Sequence, residues 1–301
     1  MTNASERAER LALEPLRETA PPAGFFRNSV ASVGALWEHR ELLGLLVRRE
    51  IKAKYKNSVL GLGWSLIRPV IQLGIFYVVM GIFLRMRGYV PHFPIFVFSG
   101  IAMWSLFQEI INSGTGSVLA NAGIVKKTYV PREAFPLASV GSALVNFALQ
   151  LCVLLVAVAA TSGFVGGWNF LYFLVAIAVV VVWGTALALL LSAANVYFRD
   201  IQYLIEVALM VGFYSCPIIY TWSMVQPQLP WVVQEIYLAN PMTLSIMAAQ
   251  RFLWDSDGLL PLPYASYLEY RLAAILFVGI VVLILCHRVF SQLQRNFAQE
   301  M

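Results

Sequence analysis

Long apolar segments separated by short polar stretches fill the chain after about residue 60. A helix that crosses a bilayer needs about 20 predominantly apolar residues. Six segments approach or exceed that length, and we predict them as membrane-spanning helices at about 64–84, 93–114, 135–161, 169–197, 202–222 and 271–289. Because the number of spans is even, both termini are expected on the same side of the membrane.

The segment 37–63 has a different pattern and predicts an amphipathic helix, clearest over 42–57. Leu43, Val47 and Ile51 form an apolar row at helical spacing, and a separate face carries Arg48, Arg49, Lys52 and Lys56. Such a helix lies in the lipid headgroup layer with its basic side toward anionic lipid. A soluble helix beside the membrane domain is the alternative, and the span that follows directly favours the membrane surface.

Three further segments complete the predicted organisation. Residues 1–36 and 291–301 are polar and predict two tails. Residues 223–270 are largely apolar but are interrupted by Pro227, Pro230, Pro241, Pro261 and Pro263. Apolar pieces of about 10–14 residues are too short to span a bilayer, so this region predicts re-entrant or interfacial helices.

Composition agrees with an all-α integral membrane protein. Apolar and aromatic residues make up 59% of the chain and charged residues 12%, about half the share of about 25% in soluble domains. The mean hydropathy is +0.72. Cys152, Cys216 and Cys286 all lie in apolar segments, which predicts buried thiols. An ordinary soluble protein, a disordered protein and a disulfide scaffold are excluded.

The distribution of basic residues predicts the orientation. The net charge is +5, and 17 of the 21 Lys and Arg residues fall on the side of the predicted termini, with four on the opposite side. Cytoplasmic segments carry the excess of Lys and Arg in membrane proteins. Both termini are therefore expected in the cytoplasm, and the basic charge needs no nucleic-acid partner.

The sequence shows no motif for ATP hydrolysis or metal binding. No GxxxxGK[ST] phosphate loop occurs, so the chain is not expected to hydrolyse ATP by that route. His39, His92 and His287 are scattered, so no metal site is predicted. A membrane-embedded enzyme is a competing class, but the spans offer only Glu109 and Glu206, without a neighbouring His. A purely structural or interaction protein is the other alternative.

The cytoplasmic loop at 120–136 predicts a docking surface. It mixes apolar and basic residues where a simple turn would be shorter and more polar: Gly123, Ile124, Val125, Lys126, Lys127, Tyr129, Pro131 and Arg132. Exposed apolar side chains ringed by charge suit a protein partner. A helix that dips into the headgroups is the alternative. Arg199 and Asp200 form a second short loop, with Asp200 a candidate N-cap for the following helix.

Polar and aromatic residues inside the spans are candidates for a transport path. A carboxylate in a span is costly when it faces lipid, so Glu109 and Glu206 should face protein or water, either as paired structural groups or as lining of a polar path. Aromatic rings serve bundle packing or membrane interfaces, or alternatively could stack on sugars. The aromatic candidates are Tyr77, Trp104, Phe107, Phe213, Tyr214 and Tyr220.

An ordered set of short segments resembles the permeases of type-2 ATP-binding-cassette (ABC) exporters, most closely the branch that exports polysaccharide, O-antigen and teichoic acid. The resemblance covers about 40–290. It rests on RREIKAKYK at 48–56, LGLGW at 60–64, RP at 68–69, Asn121 with VKK at 125–127, VPR at 130–132, FRDI at 198–201, CPIIY at 216–220, and NP at 240–241 with Arg251. Cys216 departs from the pattern, because Ser is common there.

The resemblance implies a homodimeric permease with six spans per subunit and two separate ATPase subunits that bind ATP and Mg²⁺. It implies that 120–136 and 198–201 contact the ATPase, that 42–57 is a gate helix at the membrane surface, and that 223–270 caps the exit. The implied cargo is a polysaccharide on a polyprenyl-diphosphate lipid in the bacterial plasma membrane. A permease for a drug or another small amphiphile is the alternative.

Overall fold

The computed structural model describes residues 40–56, 58, 61–83, 85, 90, 92–126, 130–161, 169–254 and 265–300. Every regular element in these ranges is helical. The predicted tail at 1–36 and the start of the predicted amphipathic segment, 37–39, lie outside the described residues.

The α-helices are numbered here in chain order. They are α1 (Arg40–Lys54), α2 (Trp64–Phe76), α3 (Phe93–Ala120), α4 (Ala122–Val125), α5 (Ala134–Thr161), α6 (Asn169–Tyr197), α7 (Ile201–Tyr214), α8 (Trp222–Val225), α9 (Trp231–Leu238), α10 (Pro241–Leu253), α11 (Leu268–Leu293) and α12 (Phe297–Glu300). A π-helical segment, Tyr77–Phe83, extends α2, and 3₁₀ turns occur at Gly61–Gly63, Gln226–Gln228 and Gln294–Asn296.

Five helical segments are long and apolar enough to cross a membrane, which confirms five of the predicted spans as helices. They are Trp64–Phe83, Phe93–Ala120, Ala134–Ala160, Phe170–Tyr197 and Leu268–Asn296. Two extend well beyond the predicted ends, since α3 continues to Ala120 and the last apolar helix to Leu293. Helical structure therefore continues into the predicted tail at 291–301, through Glu300.

The predicted helix over 202–222 is wrong in its second half. Helix α7 ends at Tyr214 and is 14 residues long, about 21 Å at the α-helical rise and shorter than a hydrocarbon core of about 30 Å. Pro217 explains the stop, because it has no N–H to donate and its ring would clash with the carbonyl four residues earlier. Residues 215–221 are a sequence of turns and bends.

Helices α3 and α6 form the centre of the packing. Helix α3 contacts α5, α6 and α10, and α6 also contacts α11. Helix α10 is buried over most of its 13 residues. The Asn240 side chain caps it by accepting a hydrogen bond of 2.9 Å from the Met242 N–H, and the Gln250 amide donates to the Pro217 carbonyl at 2.9 Å. Helices α9 and α10 are short, as predicted for 223–270; their re-entrant placement stays a prediction.

Helices α3 and α6 approach each other closely at Gly114. A Cβ atom added there would lie 2.5 Å from the Ala188 Cβ, whereas a Cβ at Gly116 would meet only the Gln202 side chain, at 3.9 Å. Small residues permit such close helix approaches in membrane proteins.

Gly114→Ala is therefore expected to destabilise the protein by about 1–3 kcal/mol, because the methyl group of Ala188 has no freedom to move aside. Thermal unfolding of the purified protein measures this. Gly116→Ala, two residues away on the same helix, is the matched control and should be neutral or slightly stabilising. Equal melting temperatures for the two variants would contradict the proposed contact.

Candidate functional site

Helix α1 presents two distinct faces, as predicted from its sequence. Leu43, Val47 and Ile51 are half-buried, and the helix packs against α5. A Cβ at Gly141 of α5 would lie 2.7 Å from a Val47 methyl carbon, so the missing side chain permits this approach. The predicted basic row is exposed: Arg48, Arg49, Lys52 and Lys56. Its position in the headgroup layer stays a prediction.

A polar network joins the end of α1 to α3 and α5. The Lys54 ammonium lies 2.5 Å from a carboxylate oxygen of Glu109. The same oxygen accepts a hydrogen bond of 2.5 Å from the Asn146 amide, and the Tyr55 hydroxyl donates to the Asn146 side-chain oxygen at 3.0 Å. Glu109 thus has a cationic partner and a neutral one, which meets the expectation that it faces protein.

Glu109 also borders a polar cavity of about 630 Å³. Two cations line this cavity, Lys54 and Arg68. The neutral polar residues of the lining come from the segment after α1 and from α2, α3 and α5: Ser58, Ser65, Gln72, Ser105, Gln108, Asn112, Ser113 and Gln150. Polar groups at this density are rare within membrane helices and mark substrate or ion paths.

Two amide side chains of the cavity lining have buried oxygens without a partner. The side-chain oxygens of Asn112 and Gln150 are inaccessible to solvent and have no hydrogen-bond partner among the described residues. An unsatisfied buried acceptor costs free energy. Because both oxygens are inaccessible, the surrounding helices would have to shift before a ligand could donate to them.

Two further contacts of α1 reach the predicted docking loop and α5. The Arg49 guanidinium donates to the Asn121 side chain at 2.5 Å, and Asn121 itself follows the last residue of α3. Glu50 accepts a hydrogen bond of 2.7 Å from the Ser139 hydroxyl. Burial raises the pKa of Glu50, which favours its neutral form. Arg49 therefore contacts the loop in addition to lying on the basic face.

The predicted docking loop contains the short helix α4. Gly123 and Lys126 are exposed and Ile124 is half-buried, whereas Val125 is only 7% exposed and packs against the chain itself. Lys127 and Tyr129 lie outside the described residues. Pro131 and Arg132 are half-buried just before α5. The exposed part of the loop that is described is thus more polar than the sequence predicted.

The second loop is exposed but lacks the predicted helix cap. Arg199 and Asp200 are both exposed. Asp200 occupies the N-cap position of α7, yet its side chain makes no capping hydrogen bond. Its φ of −72° and ψ of −12° are helical, whereas a capping residue normally has extended backbone. The predicted capping role of Asp200 is wrong for this reason.

Four of the aromatic candidates, Trp104, Phe107, Phe213 and Tyr214, are linked by ring contacts apart from the polar cavity. Trp104 and Phe213 are buried, with ring centroids 6.0 Å apart, and Phe107 lies 5.7 Å from Trp104. Tyr77 is half-buried, Tyr214 is exposed, and the Tyr220 hydroxyl donates to the Tyr214 carbonyl at 2.9 Å. None of these rings lines the cavity, so a lining role in another conformation stays a prediction.

Glu206 lies in different surroundings from Glu109. It is exposed on α7, beside the exposed apolar side chains of Tyr203, Leu204, Val207 and Met210. A carboxylate on such a face is unfavourable against lipid. A protein or water environment therefore remains the expectation for Glu206.

Most of the polar cavity lining was missed by the sequence analysis. The signal was present within the second span, where Ser105, Gln108, Glu109, Asn112 and Ser113 recur three or four residues apart in an otherwise apolar segment. That spacing places them on one helix face. The contribution of Gln150 from α5 depends on helix packing and has no local signal.

Comparison with known proteins decides the family. The sequence pattern of the ABC-2 type transporter family matches residues 41–253. The chain belongs to this family. Its members are transport permeases rather than enzymes, and with five apolar spanning helices this chain is a multi-pass protein of the bacterial inner membrane.

Curated relatives match over most of their length. The chain is 28% identical to the O-antigen export system permease protein RfbA of Myxococcus xanthus, over 89% of this chain and 98% of the relative. It is 26% identical to a protein of the same name from Klebsiella pneumoniae, over 86% of this chain and 94% of the relative. A shorter match, to the polysialic acid transport protein KpsM of Escherichia coli, is 30% identical over 26% of this chain.

Proposed function

We propose that this chain is the permease subunit of an ABC exporter that moves a polysaccharide, carried on a polyprenyl-diphosphate lipid, across the plasma membrane. The observation that carries the proposal is the polar cavity beside α1, in a chain similar to O-antigen export permeases. ATP hydrolysis in separate subunits supplies the energy, and those subunits bind ATP and Mg²⁺.

The chemistry of the cavity suits this cargo. Arg68 supplies positive charge for a diphosphate, since an Arg side chain matches phosphate oxygens with paired N–H donors, whereas the charge of Lys54 is balanced by Glu109. The accessible polar side chains of the lining, such as Gln72, Gln108 and Ser113, suit sugar hydroxyl groups. The exposed basic row of α1 would hold the lipid-linked diphosphate at the membrane surface before entry.

A small amphiphile is the alternative cargo. Sites for such ligands are mostly apolar pockets of about 300–1,000 Å³. A second, largely apolar cavity of about 280 Å³ lies between α6 and α11, lined by Leu171, Tyr172, Val175, Glu269, Leu272 and Ala273. Its smaller size and the polarity of the larger cavity favour the polysaccharide.

The proposed assembly is a homodimer with two ATPase subunits. Each copy would cross the membrane six times with both termini in the cytoplasm, and α7 with the turns at 215–221 would make the fifth crossing. The exposed loop residues Lys126 and Arg199 would face the ATPase. The exposed apolar faces of α2 and α7 would face lipid or the second copy.

A reconstituted complex tests the cargo. The permease and its ATPase are placed in vesicles, and ATP hydrolysis is measured with a polyprenyl-diphosphate-linked polysaccharide, with free polysaccharide and with an amphiphilic dye. We expect stimulation and protection of the glycan inside inverted vesicles only for the lipid-linked form. Stimulation by the dye alone would favour the small-amphiphile exporter.

The basic row of α1 provides a sharper prediction. Each basic residue near an anionic surface contributes about 1 kcal/mol, so replacing Arg48, Arg49, Lys52 and Lys56 by Gln should weaken substrate engagement strongly and leave the helices folded. Substrate-stimulated ATP hydrolysis measures it. Arg40→Gln, exposed on the same helix, is the matched control. A second variant replaces Arg48, Lys52 and Lys56 but keeps Arg49, so it retains the Asn121 contact and tests only the attraction to anionic lipid and substrate. Unchanged export in both variants would contradict the proposed role of the basic row.

A further inference from the structure

The C-terminal end of the chain is firmly packed where the sequence predicted a tail. Phe290 at the end of α11 and Phe297 at the start of α12 are both 0% exposed. Their ring centroids lie 5.6 Å apart in an edge-to-face arrangement. They form a small core with Val118 of α3 and with Leu189 and Val196 of α6, separate from the main core.

Glu133 links this end of the chain to the predicted docking loop through side-chain contacts. It directly precedes α5 and is only 5% exposed. One of its oxygens accepts hydrogen bonds from the Ser291 hydroxyl at 3.1 Å and from the Gln294 amide at 3.4 Å. The His287 ring nitrogen lies 3.3 Å from the same oxygen, close enough for an ion pair but not aligned as a hydrogen bond.

The charge state of Glu133 agrees with this role. Burial by itself raises the pKa of Glu133, but His287 and the bonds from Ser291 and Gln294 outweigh it and lower the pKa below its usual value. The group is therefore a carboxylate at neutral pH. A buried carboxylate needs its partners, so the end of α11 is tied to the exit of the docking loop.

Contacts from both cytoplasmic loops converge on Phe297. The Arg132 guanidinium, at the end of the first loop, lies 5.9 Å from the centre of the Phe297 ring. Tyr197, the last residue of α6 before the second loop, has its ring 6.3 Å from that of Phe297. The Tyr197 hydroxyl also donates to the Leu293 carbonyl at 3.0 Å. One buried side chain thus bridges the ends of both loops.

We propose that the C-terminal segment 290–297 is a clasp that joins the two cytoplasmic loops into one rigid platform for the ATPase. The inference rests on the proposed function, because it takes these loops as the ATPase contacts. Two loops held at a fixed separation bind one partner more tightly than two mobile loops, since less ordering is needed on binding. Without the clasp, each loop would have to be positioned separately on binding.

Phe297→Ala tests the clasp by removing the shared ring. The affinity of the purified ATPase for the permease in nanodiscs is expected to fall by roughly two- to tenfold, because ordering even one side chain on binding costs about that much affinity. Phe297→Leu keeps most of the apolar volume and should recover part of the affinity. Arg295→Ala changes an exposed residue of the same segment and is the matched control.

A milder variant keeps the clasp testable if Phe297→Ala does not fold. Tyr197→Phe removes only the hydroxyl bond to Leu293 and should weaken ATPase binding in the same direction by a few-fold, without changing the melting temperature by more than a few degrees. If Phe297→Ala does not accumulate in the membrane, Tyr197→Phe decides the question. The clasp is overturned if Tyr197→Phe binds the ATPase with wild-type affinity while Phe297→Ala either does the same or fails to fold.

Different results would overturn the proposed function and the clasp. If the wild-type permease does not bind an ATPase at all, the proposed function is wrong. If the wild type and Arg295→Ala bind it and Phe297→Ala binds equally well, only the clasp is wrong. A melting temperature that falls in Phe297→Ala while affinity stays at wild type assigns the C-terminal core to stability alone and also overturns the clasp.

Discussion

A permease with Lys126→Glu, Lys127→Glu and Tyr129→Ala is expected to insert normally and to lose most of its binding to the ATPase. The permease of an ABC exporter works with an ATPase partner, so energy for transport enters through a protein contact. Truncation of a central aromatic anchor should cost about 1–2 kcal/mol. Reversal of two cations should slow association and increase its dependence on salt. The measurements are co-purification of the ATPase and its stimulated hydrolysis.

The fold should survive these changes, as far as it is described, because the Lys126 side chain is exposed. Arg85→Glu reverses an exposed charge on the predicted outer side and is the control for net charge. Wild-type recovery of the ATPase with the triple variant would place the contact elsewhere, with the exposed Arg199 and Asp200 as the next candidates.

Glu109→Ala is the second change for which we expect a large effect. It removes the acceptor of the Asn146 amide, and Asn146 is 1% exposed. A buried donor left without a partner costs about 1–3 kcal/mol. Lys54 loses its ion-pair partner as well, but Lys54 is partly exposed and recovers hydration, so this part of the loss is smaller. Both stability and export should fall.

Glu109→Gln separates the contribution of the Glu109 carboxylate to stability from its contribution to export. Its side-chain oxygen can still accept from Asn146, so stability should stay near that of the wild type, whereas the charge that holds Lys54 is lost. Export that falls in Glu109→Gln with an unchanged melting temperature assigns the carboxylate to transport. Lys54→Met, combined with Glu109→Gln, completes a double-mutant cycle. Wild-type export in all three variants would show that the ion pair is dispensable.

Much of the helical architecture follows from local sequence. The apolar segments at 64–84, 93–114, 135–161, 169–197 and 271–289 all became long helices, because their length and composition leave few alternatives in a bilayer. The amphipathic helix was also predictable, since Val47 and Ile51 recur at helical spacing on a different face from Arg48 and Lys52. The ordered short motifs indicated a type-2 ABC permease, which the family match confirms.

Several features of the candidate site were decided by tertiary packing. Glu109 was recognisable as a costly residue, but its partner Lys54 is 55 positions earlier in the chain, and pairing at that distance has no local signal. The same applies to the burial of Val125 and to the contacts of Glu133 with His287 and Ser291. A hydropathy profile describes each segment separately, so it does not predict which segments pack against each other.

Local sequence is enough to predict which segments are helical and apolar and where most of them begin, because hydrogen bonding and hydration act within one segment. The side of the membrane that carries the positive charge stays a prediction from the distribution of Lys and Arg. The tertiary structure alone decided that polar side chains of α1, α3 and α5 enclose one cavity and that Phe297 joins two loops. Such arrangements depend on the order and angle in which helices pack, which are set by contacts such as Gly114 with Ala188 between residues far apart in the chain.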